Sequence, residues 1–161
     1  MRVIKNAEIV EDSWQLVADE APLPDADAIV SFRRWSDQKD ILIEHPRRLG
    51  LCVSGDDDID AVAAEAPQFD LIALDFPAFR DGRSYSNARL LRDRFGYEGE
   101  LRAVGEVLRD QLFYMRRCGI DSFAVPEDRD IEAALAGFED FSLAYQPATY
   151  DDVPVFRFRR R

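Results

Sequence analysis

One histidine, two cysteines and two lysines in 161 residues leave few of the side chains that usually carry metal or nucleophile chemistry. With His45 as the sole imidazole, a histidine-containing metal centre or a Ser-His-Asp triad finds little support. His45 precedes Pro46 at an expected helix end, where it reads as a helix-terminal cation or an exposed ring. Cys52 and Cys118 each lie in an apolar run, so they read as buried thiols in a reducing compartment, without a disulfide framework or zinc site. No apolar run reaches the length a membrane span needs, and MRVIKNAEIVEDSW lacks the apolar segment of a signal peptide. A cytoplasmic protein, neither secreted nor membrane-bound, is expected. Neither GxGxxG nor a P-loop GK[ST] occurs, so no cofactor is expected.

What the chain does have is acid and arginine. Its net charge of −11 argues against nucleic-acid binding, which needs a basic surface. Hydrophobic residues at 47% and charged residues at 33% fit one globular domain over 1–161, large enough to bury a core. Between Arg80 and Arg117 stand nine arginines against six acids, a net of +3 that leaves −14 elsewhere. Arginine presents a planar fork suited to carboxylate, phosphate or sulfate oxygens, so a local site for a small oxyanion is one reading. Ion pairing along helix faces is the commoner reason for such a mixture.

Residues 1–27 read as an N-terminal β-hairpin, with MRVIK and SWQLV as its arms, followed by the linker APLPDADA. Residues 28–150 then repeat strand, loop and helix. AIVSFRRW is expected as a strand, and Ser36 as the cap of a helix that Pro46 stops. RLGLCVS, DLIALDFP, ELRAVGE and SFAVP are further strands, and SLAYQPATY is a candidate sixth. Helices follow at GDDDIDAVAAEAP, SYSNARLLRDRFGY, VLRDQLFYMRRCG and DRDIEAALAGFEDF. Gly96 and Gly119 stop two of them. About five βα units imply an α/β fold with a mainly parallel sheet, either open and doubly wound or an incomplete barrel. RFRRR is read as a solvated tail.

Ligands of such folds sit at the carboxyl ends of the strands. Here those ends carry Arg33 to Trp35, Ser54, Asp75, the loop Arg80-Asp81-Gly82-Arg83, Glu106 and Pro126-Glu127. Asp75 closes an apolar strand as a general base, as an orienter of arginine, or simply by pairing with Arg80 or Arg83. Arg80 to Arg83, with Ser84 and Ser86, precede a helix whose first amides suit an anion; a capped turn is the plainer reading. Arg102 interrupts a strand and must be paired if buried, with Glu100 or Asp75 as structural partner. Gln111 is expected to bond across to the sheet. The candidate ligand-binding set is therefore Asp75, Arg80, Asp81, Arg83, Ser84, Ser86, Arg102 and Glu106, with no catalytic residue assigned.

FRDGRSYSNARLLRDRFGYEGELRAVGEVLRDQLFYMRRCGIDSF, with a weaker echo in FSLAYQPA, resembles a bacterial family described as probable oxidoreductases involved in sulfite reduction. The resemblance spans about Asp70 to Ala148. Ser84 departs from it, standing where that family has glycine. Genes of the family commonly lie beside the haemoprotein subunit of assimilatory sulfite or nitrite reductase, so the resemblance implies a place in sulfur assimilation. It carries no established catalytic residues. The expectation is an accessory protein that binds the sulfite reductase haemoprotein or a small oxyanion. The alternatives are a small enzyme acting on an anionic metabolite, with Asp75, Asp81 or Glu106 as acid or base and Arg83 or Arg102 as clamp, and a structural or regulatory homo-oligomer.

Overall fold

In a computed structural model, described over residues 1–78 and 82–138, one eight-stranded sheet organises the chain. The strands are β1 (Arg2–Lys5), β2 (Glu8–Glu11), β3 (Gln15–Leu16), β4 (Ala28–Ser31), β5 (Leu49–Val53), β6 (Leu71–Phe76), β7 (Glu100–Gly105) and β8 (Ser122–Phe123). The helices are α1 (Phe32–Leu42), α2 (Ile59–Glu65), α3 (Arg83–Arg89), α4 (Leu112–Arg117) and α5 (Ile131–Ala136). The candidate sixth strand SLAYQPATY and the RFRRR tail lie outside the described residues, as do Arg80 and Asp81.

The strand order is β2-β1-β8-β7-β6-β5-β4-β3, with β3 through β8 parallel and each beside its neighbour in sequence. Consecutive right-handed crossovers put every described helix on one face. The buried residues agree: the larger core holds all the helical members, among them Trp35, Val62, Leu91, Met115 and Ile131. The opposite face carries a smaller cluster of Trp14, Ile29, Leu71, Ala73 and Val104, without a helical residue. A doubly wound sheet would bury both faces under helices; this sheet is the incomplete barrel.

Its curl follows from the chain. A flat sheet would hold β2 and β3, at its two edges, about 34 Å apart at seven strand spacings. Only Asp12, Ser13 and Trp14 join them, and that connection reaches about 14 Å when fully extended. The sheet must therefore bend round until its edges approach, although β2 and β3 do not pair with each other.

Three expectations shift. The hairpin is real, but its second arm is Glu8–Glu11, not SWQLV. A two-residue turn of Asn6 and Ala7, both at positive φ (51° and 63°), closes it, and without glycine this turn has a weak sequence signal. Gln15 and Leu16 of SWQLV instead pair in parallel with β4 at the far edge. The first helix begins earlier than expected, because Ser31 caps it by accepting from the Arg34 amide at 2.9 Å. Ser36 lies inside that helix and donates to the Phe32 carbonyl. Arg92, one of the arginines for which ion pairing along a helix face is the plain expectation, is not on an outer face. A π-helical turn at Leu90–Arg94 ends the α3 region, and Arg92 turns inward to donate to the carbonyls of Tyr97, Gly99 and Gly119 and to Asp121.

Candidate functional site at the mouth of the curled sheet

Strand alternation sorts β7 into two faces. Leu101 and Ala103 enter the helix-covered core, while Glu100, Arg102 and Val104 face the concave side. Arg102 is 1% exposed, so its charge requires partners. Asp12 takes both terminal nitrogens, at 2.7 and 2.8 Å. Glu100 accepts from Nη2 at 2.7 Å and from Nε at 2.9 Å, and the Ser122 hydroxyl accepts at 3.2 Å. Lys5 reaches the other Glu100 oxygen at 2.6 Å. Burial pushes the Glu100 carboxyl up, but Lys5, Arg102 and Ser122 together hold it below the usual carboxylate range. Burial would likewise lower the Arg102 pKa, and Asp12 and Glu100 more than reverse it.

This cluster plugs the interior. Above it, at the carboxyl ends of β7 and β8, an apolar cavity of about 220 Å³ is bounded by Trp14, Leu16, Ile29, Val104 and Ala124. Below it, at the amino ends, a polar cavity of about 460 Å³ is bounded by Lys5, Asp12, Arg48, Asp70, Glu98 and Glu100.

Three more of the expected residues meet at the carboxyl ends. Asp75, next to last in β6, is half-buried, and its carbonyl accepts from the Ser84 hydroxyl at 2.5 Å. Ser84 is 1% exposed, so this bond anchors the first turn of α3 to the sheet. Gly105 ends β7 at φ +87°, and a Cβ there would stand 2.6 Å from the Phe76 carbonyl oxygen and 2.9 Å from Asp75 Oδ1. Only glycine fits a site so crowded and so twisted. Glu106 follows, exposed, its amide bonded to the Phe76 carbonyl at 2.8 Å.

Arg83 pairs with Asp56 in the loop after β5. Gly55 permits this, since a Cβ there would meet Arg83 Nε at 2.8 Å. Ser86 is exposed on α3. Arg102 pairs with Ala73 in the β6–β7 register, whereas Asp75 pairs with Val104, so the guanidinium sits one two-residue step below Asp75 and inside the plug. Burial, with Asp75, Asp57 and Asp19 nearby, raises the Cys52 thiol to about 12.

Two features had no sequence signal. Asp12 holds Arg102 across 90 positions, and nothing local marks it. Asn87, 8% exposed on α3 behind Ser84, has an Nδ2 that no described residue accepts from. Glu100 partners Arg102 and Cys118 is buried, as expected, whereas Cys52 is only half-buried and His45, neither exposed nor at the end of α1, touches the Ala26 carbonyl. Among the described residues no group of three or more His, Cys, Asp or Glu is arranged to hold a metal, and no helix is long and apolar enough to cross a membrane.

Fold and site together define an α/β protein built on an open, curled and mostly parallel sheet, its interior closed by an ionic plug. Residues 50–156 match the family described as "Bacterial protein of unknown function (DUF934)", and the chain belongs to that family. No curated protein matches it.

Proposed function

We propose that this chain is a cytoplasmic accessory protein of assimilatory sulfite reduction, acting by binding a partner protein, the haemoprotein subunit of the reductase, or a small oxyanion. The observation that carries the reading is the run from Phe76 to Asp121, with its resemblance to the family encoded beside that subunit. The described residues of that run include α3, β7 and α4, held by bonds from Ser84 to Asp75 and from Arg92 to Asp121. Arg89 and Arg116 on its helices are exposed. The acid–base alternative asks Arg83 or Arg102 to clamp an anion, and each already lies against a carboxylate, so binding is the better-supported reading.

Co-purification with the reductase haemoprotein from a sulfate-grown host tests it, together with growth of a deletion strain on sulfate or sulfite as sole sulfur source. Retention and a growth defect are expected. Absence of both would end the reading.

A further inference from the structure

We propose that the apolar cavity above the plug binds a small neutral molecule, an aromatic ring carrying one hydrogen-bond acceptor. This goes beyond the partner-binding reading and does not depend on it. The cavity lies at the carboxyl ends of β7 and β8, where ligands of parallel sheets collect. Trp14, Ile29 and Val104 in its wall belong to the sheet face opposite the helices. Leu16, 60% exposed, borders the same space and marks its mouth.

Arg102 sets the polarity. It borders this cavity and not the polar one beneath. A guanidinium has five N–H donors, two of them on Nη1. Nε and Nη2 donate to Glu100, Ser122 and Asp12, whereas Nη1 donates to Asp12 Oδ2 alone. One Nη1 hydrogen therefore has no acceptor among the described residues, on a side chain that is 1% exposed. Leaving a buried donor unmade is unfavourable, and the cavity is the space from which an acceptor can come. Water suits that space poorly. An ordered water needs about two to four polar partners, and Leu16, Ile29, Val104 and Ala124 around it are aliphatic.

Charge and size select the occupant. Arg102 and Lys5 balance Asp12 and Glu100 in the plug, so an anion buried beside it would be left uncompensated. An apolar cavity of about 150 Å³ holds benzene. Scaled to about 220 Å³, this one holds about nine non-hydrogen atoms, a ring with a short substituent. Trp14 supplies an aromatic face against which such a ring packs.

The test uses three probes of nearly equal size and shape. They are acetophenone, α-methylstyrene, in which a CH2 group replaces the carbonyl oxygen, and benzoate. Each is titrated into the full chain while NMR follows the two indole N–H signals. Trp14 is the near reporter, and Trp35, packed on Phe69 in the helix-covered core, is the distant one. Acetophenone should shift the Trp14 signal saturably and leave Trp35 unmoved, with a Kd below about 1 mM. Binding of α-methylstyrene and of benzoate should each be at least tenfold weaker. Ala124→Leu, which fills the cavity, and Leu16→Phe, which narrows its exposed mouth, should also weaken acetophenone at least tenfold. Circular dichroism confirms that each variant is folded; if Ala124→Leu is not, Leu16→Phe decides. No saturable shift at Trp14, equal affinity for α-methylstyrene, tighter binding of benzoate, or full affinity in the folded variants would each overturn the proposal.

Discussion

Replacing Asp12 with alanine would remove one carboxylate from a guanidinium that is 1% exposed. Arg102 cannot reach water and cannot lose its proton, so the variant must keep a buried charge with Glu100 as its remaining anion. Breaking a buried pair from one side costs about 3–5 kcal/mol. The surviving Glu100 contacts put the expectation at the lower end, about 3 kcal/mol, a large share of an ordinary domain's stability. With a urea slope of about 2 kcal/mol/M, the midpoint should fall by about 1.5 M. Trp14 makes the measurement direct, because it packs on the concave face beside the plug, with Arg48 stacked at 4.9 Å. Arg102→Met should also destabilise, by stranding Asp12 and Glu100. The double variant should lose less than the sum of the two singles, because Asp12 and Arg102 are then removed together and neither is left buried without the other. A midpoint shift below about 0.3 M for Asp12→Ala, or strict additivity in the double variant, would refute the claim that this pair holds the β2–β3 connection inside the curl.

Ala7→Gly should stabilise the hairpin by about 1 kcal/mol, since the alanine stands at φ 63° where L-residues are strained; thermal denaturation reads this out, and a lower Tm would contradict it. Gly105→Ala should cost about 2 kcal/mol or more, because φ is +87° and the added carbon meets the Phe76 carbonyl; unchanged urea stability would show that the β7 end adapts freely. Glu100 has a folded pKa below its ordinary 4.5, so its contribution is present above that value and is lost as pH falls through the lower folded value. Asp121 is raised by burial against the pull of Arg92, and its effect has the opposite sign, easing as pH falls. Stability should therefore decline below about pH 4.5, less steeply in Glu100→Gln; parallel pH profiles for the two proteins would remove Glu100 from the account.

Much of the fold follows from local rules. The apolar run DLIALDFP, the acid-led α2 and the stops at Gly96 and Gly119 each depend on neighbours within one turn or one strand, and each appears where the spacing puts it. So does the need to pair Arg102, because a charge inside a strand has few alternatives. The turn at Asn6-Ala7 and the cap at Ser31 escaped because other residues nearby offered equally good local chemistry. Single-residue choices of that kind are settled by the strands they connect.

The sequence by itself determined that the chain alternates strands and helices, lacks the side chains for a histidine-based metal site, and carries the pattern that joins it to its family. Only the tertiary structure decided which residues meet. Strand order put all the described helices on one face, and the short β2–β3 connection across that order curled the sheet. That curl brought Asp12 to Arg102 from ninety positions away, and it drew a candidate clamp into a plug between two cavities. A long-range ion pair leaves no periodicity to read, because its partners share neither a turn nor a strand, only the space that the curled sheet makes between them.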